Sequence, residues 1–377
     1  ARGIAPRSRR DFSRNRIRAG AHPPRMQSAM VVLRLAALQP LLRAPANRFA
    51  RSMRRHCTIA SAAPGPVDAP PLSPLSLGAP VDAAAASATV RLHFAEAGNQ
   101  LAPADAPPPL VVLHGLLGAG GNFRTWATRL HREHEPSRRI LLVDLRNHGN
   151  SIHSESMRLE EMAADVLRLL DENGIERAAV CGHSLGGKVA MMLALLHPRR
   201  VERLVVLDIA PVKYGPGDGS GWAEACATIR AMRGVDAGRA TDKKDAEQSL
   251  SRAISDPALR AFVLMNLARR SGGGLRWRVN LDAIDAALPQ LADWPIKAGR
   301  GVVPYGGNTL FVGGGRSRYV RSSHLETISS FFSRFSVTTV RSAAHWIHAD
   351  EPDALLLIAA NFLAVPCAGD EECVPQY

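Results

Sequence analysis

Between residues 89 and 364 the chain alternates short apolar runs with longer stretches whose apolar positions fall three and four apart. Leu-Val-Val-Leu at 110–113, Ile-Leu-Leu-Val at 140–143 and Ala-Ala-Val-Cys at 178–181 carry no polar residue. Short runs of this kind, bounded by Gly, Pro or Asp, predict strands buried on both faces. Further strands are predicted at 201–208, 309–313 and 336–340, with helical spacing over 158–170, 188–196, 322–332 and 352–363. Such alternation predicts a mostly parallel sheet with helices on both faces. Residues 89–95, Thr-Val-Arg-Leu-His-Phe-Ala, alternate apolar and polar positions instead, which predicts an edge strand with one solvated face. From 211 to 294 the strand signal gives way to helical patterns broken by Gly. A helical lid is therefore predicted there, inserted into an α/β core of residues 89–210 and 295–364.

Outside that core the composition changes. Residues 61–88 are rich in Pro and Ala without periodicity and read as a linker, and 365–377 as a polar tail. The formal net charge of +13 is also local. Residues 1–56 hold 14 arginines, no lysine and one acid, Asp11, for a net of 14 − 1 = +13; the other 33 basic and 33 acidic residues cancel. A nucleic-acid-binding body would carry its own basic face, so composition argues against that partner. An Arg-rich, acid-poor segment with Ser and Ala predicts an organelle transit peptide over residues 1–60, mitochondrial ahead of plastid. No run approaches the roughly 20 apolar residues of a transmembrane helix. Five cysteines form no Cys-x-x-Cys pair, and no His, Asp or Glu cluster has ligand spacing, so neither a metal nor a cofactor is expected.

In an open parallel sheet ligands bind beyond the carboxyl ends of the strands. The residues predicted there include His114 and Gly115, Asp144 with Arg146 and His148, then Ser184, Asp208, residues 313–315 (all Gly) and His345. Around Ser184 the chain reads Gly182-His-Ser-Leu-Gly-Gly-Lys188, a Gly-x-Ser-x-Gly set between a predicted strand and a predicted helix. That context makes it a nucleophile elbow. A serine hydroxyl is inert at neutral pH and needs a base and an oxyanion site. His345 is the candidate base, with His348 its rival one helical turn on. Serine, acid and histidine follow the chain order of the α/β-hydrolases.

The resemblance then becomes specific. His114-Gly-Leu-Leu-Gly118, Asp144-Leu-Arg-Asn-His-Gly-Asn-Ser151, Val206-Leu-Asp-Ile-Ala-Pro211, Trp277-Arg-Val-Asn-Leu-Asp282 and His345-Trp-Ile-His-Ala-Asp350 join the elbow. Together they resemble the α/β-hydrolase domain-containing protein 11 branch and its bacterial esterase relatives, over residues 89–364. The resemblance implies a serine esterase, often mitochondrial, acting on acyl esters. It implies His345 rather than His348 in the site, although Ala344 stands where Gly is common. Most α/β-hydrolases keep the acid in the loop after the strand at 309–312; here that loop reads Gly-Gly-Gly-Arg-Ser-Arg and holds no carboxylate. Two candidate acids follow: Asp208, at a rigid strand end, and Asp282, in the helical region, with Asp208 ranked first. The oxyanion donors expected by position are the backbone N–H groups of Leu116 and Leu185. His114 and His148 are expected to hold loops.

The predicted activity is hydrolysis of a small-molecule carboxylic ester through an acyl-enzyme. A thioesterase or acylglycerol lipase with the same triad is the near alternative. A weakly catalytic protein that uses the fold to bind an organelle partner is the distant one.

Overall fold

The computed structural model describes residues 89–98 and 106–364, apart from residues 239, 241, 272, 300 and 301. All of these belong to the second of two units into which the chain divides, Pro74–Tyr377. The expected transit peptide, linker and C-terminal tail lie outside the described residues.

The first half of the core runs β1 (Phe94–Ala97), β2 (Leu110–Leu113), α1 (Arg124–Glu133), β3 (Ile140–Val143), α2 (Leu159–Glu172), β4 (Ala178–His183), α3 (Leu185–Leu196) and β5 (Val201–Leu207). The inserted region carries α4 (Trp222–Arg233), α5 (Lys243–Ser251), α6 (Pro257–Val263), a hairpin of β6 (Leu267–Arg269) and β7 (Leu275–Trp277), and α7 (Leu281–Ala292). The core resumes with β8 (Asn308–Gly314), α8 (Leu325–Phe331), β9 (Phe335–Val340) and α9 (Pro352–Ala364). In space the seven-stranded sheet is ordered β1-β3-β2-β4-β5-β8-β9. Its pairings are parallel except that of β1 with β3.

The uninterrupted apolar runs follow from this layering. Val111, Leu113, Leu141, Val143 and Val180 face one apolar cluster, and their neighbours Leu110, Val112, Ile140, Leu142 and Cys181 face the other. Side chains alternate across a strand, and both faces are covered, so no position is left for a polar residue. α3 lies within the first cluster, and each residue from Leu185 to Ala194 is buried.

Two local expectations change. The edge strand begins at Phe94, because residues before it are held by other means: Val90 N–H donates to Asp165 (2.7 Å) and His93 N–H to Ser151 (2.8 Å). The lid, expected to be helical throughout, contains the β6–β7 hairpin. Three-residue strands are too short to register as a period of two, and the turn between them uses positive φ at Gly273 and Gly274. The two ends of the lid meet, since Tyr214 N–H donates to Ala292 O (2.9 Å).

Candidate active site

The elbow is built by exclusion of side chains. A Cβ on Gly182 would lie 2.2 Å from Gly186 O, and one on Gly186 would lie 2.4 Å from Leu113 O. Hydrogen at Gly182 therefore lets β4 and α3 fold back on each other, and hydrogen at Gly186 lets α3 start against the end of β2. Between them Ser184 takes φ 52 and ψ −116, a conformation that costs a non-glycine residue about 1–3 kcal/mol. Ser184 N–H donates to Leu207 O (2.9 Å) and Gly186 N–H to His114 O (3.1 Å), which lock the turn to its neighbours. The chain after β2 passes close by: a Cβ on Gly115 would be 3.3 Å from Ser184 Cβ. Leu116 and Leu185 line the same cavity as Ser184 and His345.

Asp208 follows β5 with φ 50 and is fully buried. Its Oδ2 lies 2.8 Å from His345 Nδ1, and its Oδ1 accepts the Gly314 N–H at 3.0 Å. The Ser317 hydroxyl donates to Oδ2 as well. An ionised carboxylate with no access to water requires such donors. Nδ1 of His345 is therefore the protonated nitrogen facing the acid, and Nε2 is left for other chemistry. The ring is held flat against Tyr319, with centroids 4.2 Å apart and planes 28° apart. From the other side His183 Nε2–H donates to the His345 carbonyl at 2.8 Å. Burial, then the neighbouring His345 and His348, hold the His183 pKa well below its usual value, so it serves as a neutral donor.

Asp282 is not part of this arrangement. Its side chain is 86% exposed in the first turn of α7 and pairs with Arg233 at 3.0 Å. The block that contains it does a different job. Arg278 donates to the Asn150 side chain (2.6 Å), and Asn280 N–H donates to Asn147 O (3.0 Å). Asn280 also caps α7 by accepting from Ala283 N–H at 3.2 Å. The family-like Trp277–Asp282 signal thus marks where the lid docks on the loop after β3. His348, the rival base, stacks on Phe123 (centroids 4.1 Å) and pairs with no carboxylate among the described residues. Burial and the neighbouring His345 hold its pKa at about 4.

The other conspicuous residues brace the loops. His114 Nε2 accepts the Leu145 N–H (3.0 Å), and His148 Nε2 accepts the Leu117 N–H (3.1 Å), so both rings are neutral with the proton on Nδ1. Burial agrees, lowering His114 and taking His148 to about 3. Arg146 makes a forked pair with Asp165 (2.6 and 2.8 Å) and reaches Glu161 (2.8 Å), which ties the same loop to α2. Lys188, one turn along α3 from Ser184, donates to the carbonyls of Leu291, Ala292 and Asp293 at 2.9, 3.0 and 2.9 Å. Asn266 of the lid donates to Leu117 O (2.8 Å).

These elements enclose a cavity of about 390 Å³. Of the apolar lid residues available for its wall, Trp222 and Phe262 line it, and Trp346 stands beside Phe262 with ring centroids 5.3 Å apart. Met232 is instead core, Met265 is 52% exposed, and Leu267 and Trp277 pack against the core. Among the described residues no group of three or more His, Cys, Asp or Glu could hold a metal ion. Ser317, Tyr319 and His183 escape sequence reasoning. Each acts through a contact made across more than a hundred residues of chain or through a ring face, and no local pattern encodes that. The one available signal was the loop that lacks the usual acid, since a polar side chain there invites a partner.

The α/β hydrolase fold family matches residues 108–352. The sn-1-specific diacylglycerol lipase ABHD11 of Mus musculus is 39% identical over 261 residues, covering 68% of this chain and 81% of that protein. Esterase YbfF of Escherichia coli is 30% identical over 255 residues, covering 68% and 92%. Among solved structures, a marine microorganism esterase superposes with a TM-score of 0.67 at 31% identity, over 73% of this chain and 100% of its own.

Proposed function

The chain belongs to the α/β-hydrolase fold family, and from that premise we propose that it hydrolyses carboxylic esters through an acyl-enzyme on Ser184. The Ser184 hydroxyl attacks the ester carbonyl while His345 Nε2 takes its proton. The N–H groups of Leu116 and Leu185 hold the oxyanion that forms. His345 returns the proton to the departing alcohol, and a water activated by the same nitrogen then releases the acid. Asp208 stays ionised throughout, fixes the Nδ1–H tautomer and stabilises the imidazolium. The observation that carries this reading is the 2.8 Å contact of Asp208 with His345 in a cavity that also holds a serine at positive φ. The mouse relative is named for diacylglycerol, which puts acylglycerols within the proposed substrate class.

Labelling with a fluorophosphonate tests it. The intact protein should label, and Ser184→Ala should not. No label on the intact protein overturns the enzyme reading and favours a binding partner that has kept the fold. Asp208→Asn should lose about 10⁴-fold in turnover of a synthetic ester, as an imidazole in the wrong tautomer does. Delivery to the mitochondrion is part of the proposal and is supported by the arginine-rich composition of residues 1–60. A reporter fused to residues 30–60 that remains diffuse in the cytosol would refute it.

A further inference from the structure

The loop after β8 does more than receive the Asp208 carboxylate. Arg316 and Arg318 flank Ser317, and both line the cavity that holds Ser184 and His345. Both are exposed, and neither guanidinium forms a salt bridge or a side-chain hydrogen bond among the described residues. Their backbones are nonetheless fixed. Arg316 N–H donates to Ala343 O (2.9 Å), Ser317 N–H to Gly314 O (3.0 Å), and the Arg318 carbonyl accepts from Arg321 Nε (2.8 Å). Gly219 of the lid makes room for one of them, since a Cβ there would lie 3.1 Å from Arg318 Nη1. Two carboxylates also line the cavity. Asp256 is occupied in capping α6 through Ala258 N–H (2.9 Å), and Glu224 is exposed on α4 and pairs with neither arginine.

We propose that Arg316 and Arg318 form a binding site for a phosphate group carried on the alcohol part of the substrate, so that the preferred esters are acyl esters of a phosphorylated alcohol. This rests on the ester-hydrolase reading above. The side of the cavity is set by the acid and base. Ser317, between the two arginines, donates to Asp208, and Tyr319, next along, stacks on His345. His345 is the group that protonates the departing oxygen, so whatever hangs from that oxygen lies beside this loop. The acyl chain has the apolar wall of Phe262 and Trp346. Two guanidinium groups match a phosphate monoester, which carries about −1.5 to −2 charges at neutral pH, better than a single carboxylate. Arginine's planar fork is suited to phosphate oxygens. In the reaction the carbonyl carbon to alkoxide oxygen bond breaks, His345 protonates the alkoxide, and the phosphate leaves unchanged on the alcohol.

The test compares 1-acylglycerol 3-phosphate with 1-acylglycerol of the same acyl chain. The intact protein should favour the phosphorylated ester in kcat/KM by about 10- to 100-fold, mainly through KM, as expected for hydrogen bonds to charged groups. That preference should shrink with added salt. The double substitution Arg316→Ala with Arg318→Ala should bring the ratio of the two kcat/KM values to near one. Equal loss on both esters would mean that the arginines only pack against the lid, and would overturn the site. So would an intact protein that hydrolyses the neutral ester equally well. A protein that hydrolyses neither ester and takes no fluorophosphonate overturns the ester-hydrolase reading, and this site with it.

Discussion

At the residue scale the informative feature is a division of labour around one carboxylate. Asp208 comes from the end of β5, and its donors Gly314 and Ser317 come from the last residue of β8 and the loop that follows, with His345 a third contributor. Removing the Ser317 hydroxyl leaves a buried oxygen with one donor fewer, in a site where a charge-assisted hydrogen bond is strong. Ser317→Ala is expected to lower ester turnover about 10-fold while fluorophosphonate labelling of Ser184 persists at a slower rate. Ser317→Thr, which keeps a hydroxyl, should retain most of the activity. Asp282→Asn should alter turnover by less than about twofold, because an ion pair that exposed contributes little.

The elements show which parts of this molecule a sequence can disclose. β2, β3 and β4 are legible because both faces of the sheet are covered, so Leu110, Val111, Val112 and Leu113 are all forced to be apolar. The elbow is legible because Gly182 and Gly186 are forced by backbone contacts. The β6–β7 hairpin is not, and neither is the choice between Asp208 and Asp282, which depends on which carboxylate the fold brings to His345. Lys188 was visible only as the last letter of a motif; in the fold it joins α3 to the end of α7. Burial pulls its pKa down to about 7, against the nearby Asp293 carboxylate. Yet three carbonyl oxygens take one proton each, which is the full complement of an ammonium group, so the site solvates the charged form. Lys188→Met would remove a donor from each of those carbonyls at the carboxyl end of α7, leaving Ala292 O with the Tyr214 N–H. It is expected to cost about 2–4 kcal/mol of stability, read from the urea midpoint, and to speed proteolytic cleavage in the lid.

On the scale of the whole molecule, the buried histidines give the fold a predictable response to acid. His114, His148, His183 and His348 are all lowered from the usual 6.5, chiefly by burial, with His148 at about 3 and His348 at about 4. The unfolded chain protonates these rings near pH 6.5, whereas the folded one takes up those protons only at lower pH. The unfolded state then holds more protons, and stability must fall as the pH drops from 6.5 towards 4. Each such ring contributes a slope of about 1.4 kcal/mol per pH unit. Denaturant midpoints measured at pH 7, 6, 5 and 4 should decline with a slope steeper than one proton accounts for. A flat series would show that these rings are accessible to water.

The separation of Asp208 from its cradle also bears on how such enzymes diverge. Two adjacent strand ends, β5 and β8, meet at the Asp208 carboxylate, and the lid is spliced into the chain between them. In a lineage moving its acid from one end to the other, a stage with both carboxylates would force one of them to take up a proton, and a stage with neither would be almost inactive. Position 317 opens a route, since its side chain already reaches the Asp208 carboxylate. The pair Asp208→Asn with Ser317→Asp retraces that route in the laboratory. It should recover at least about 10-fold of the turnover that Asp208→Asn alone loses. Recovery of that size would make the catalytic acid a movable part, inherited separately from the serine and histidine it serves.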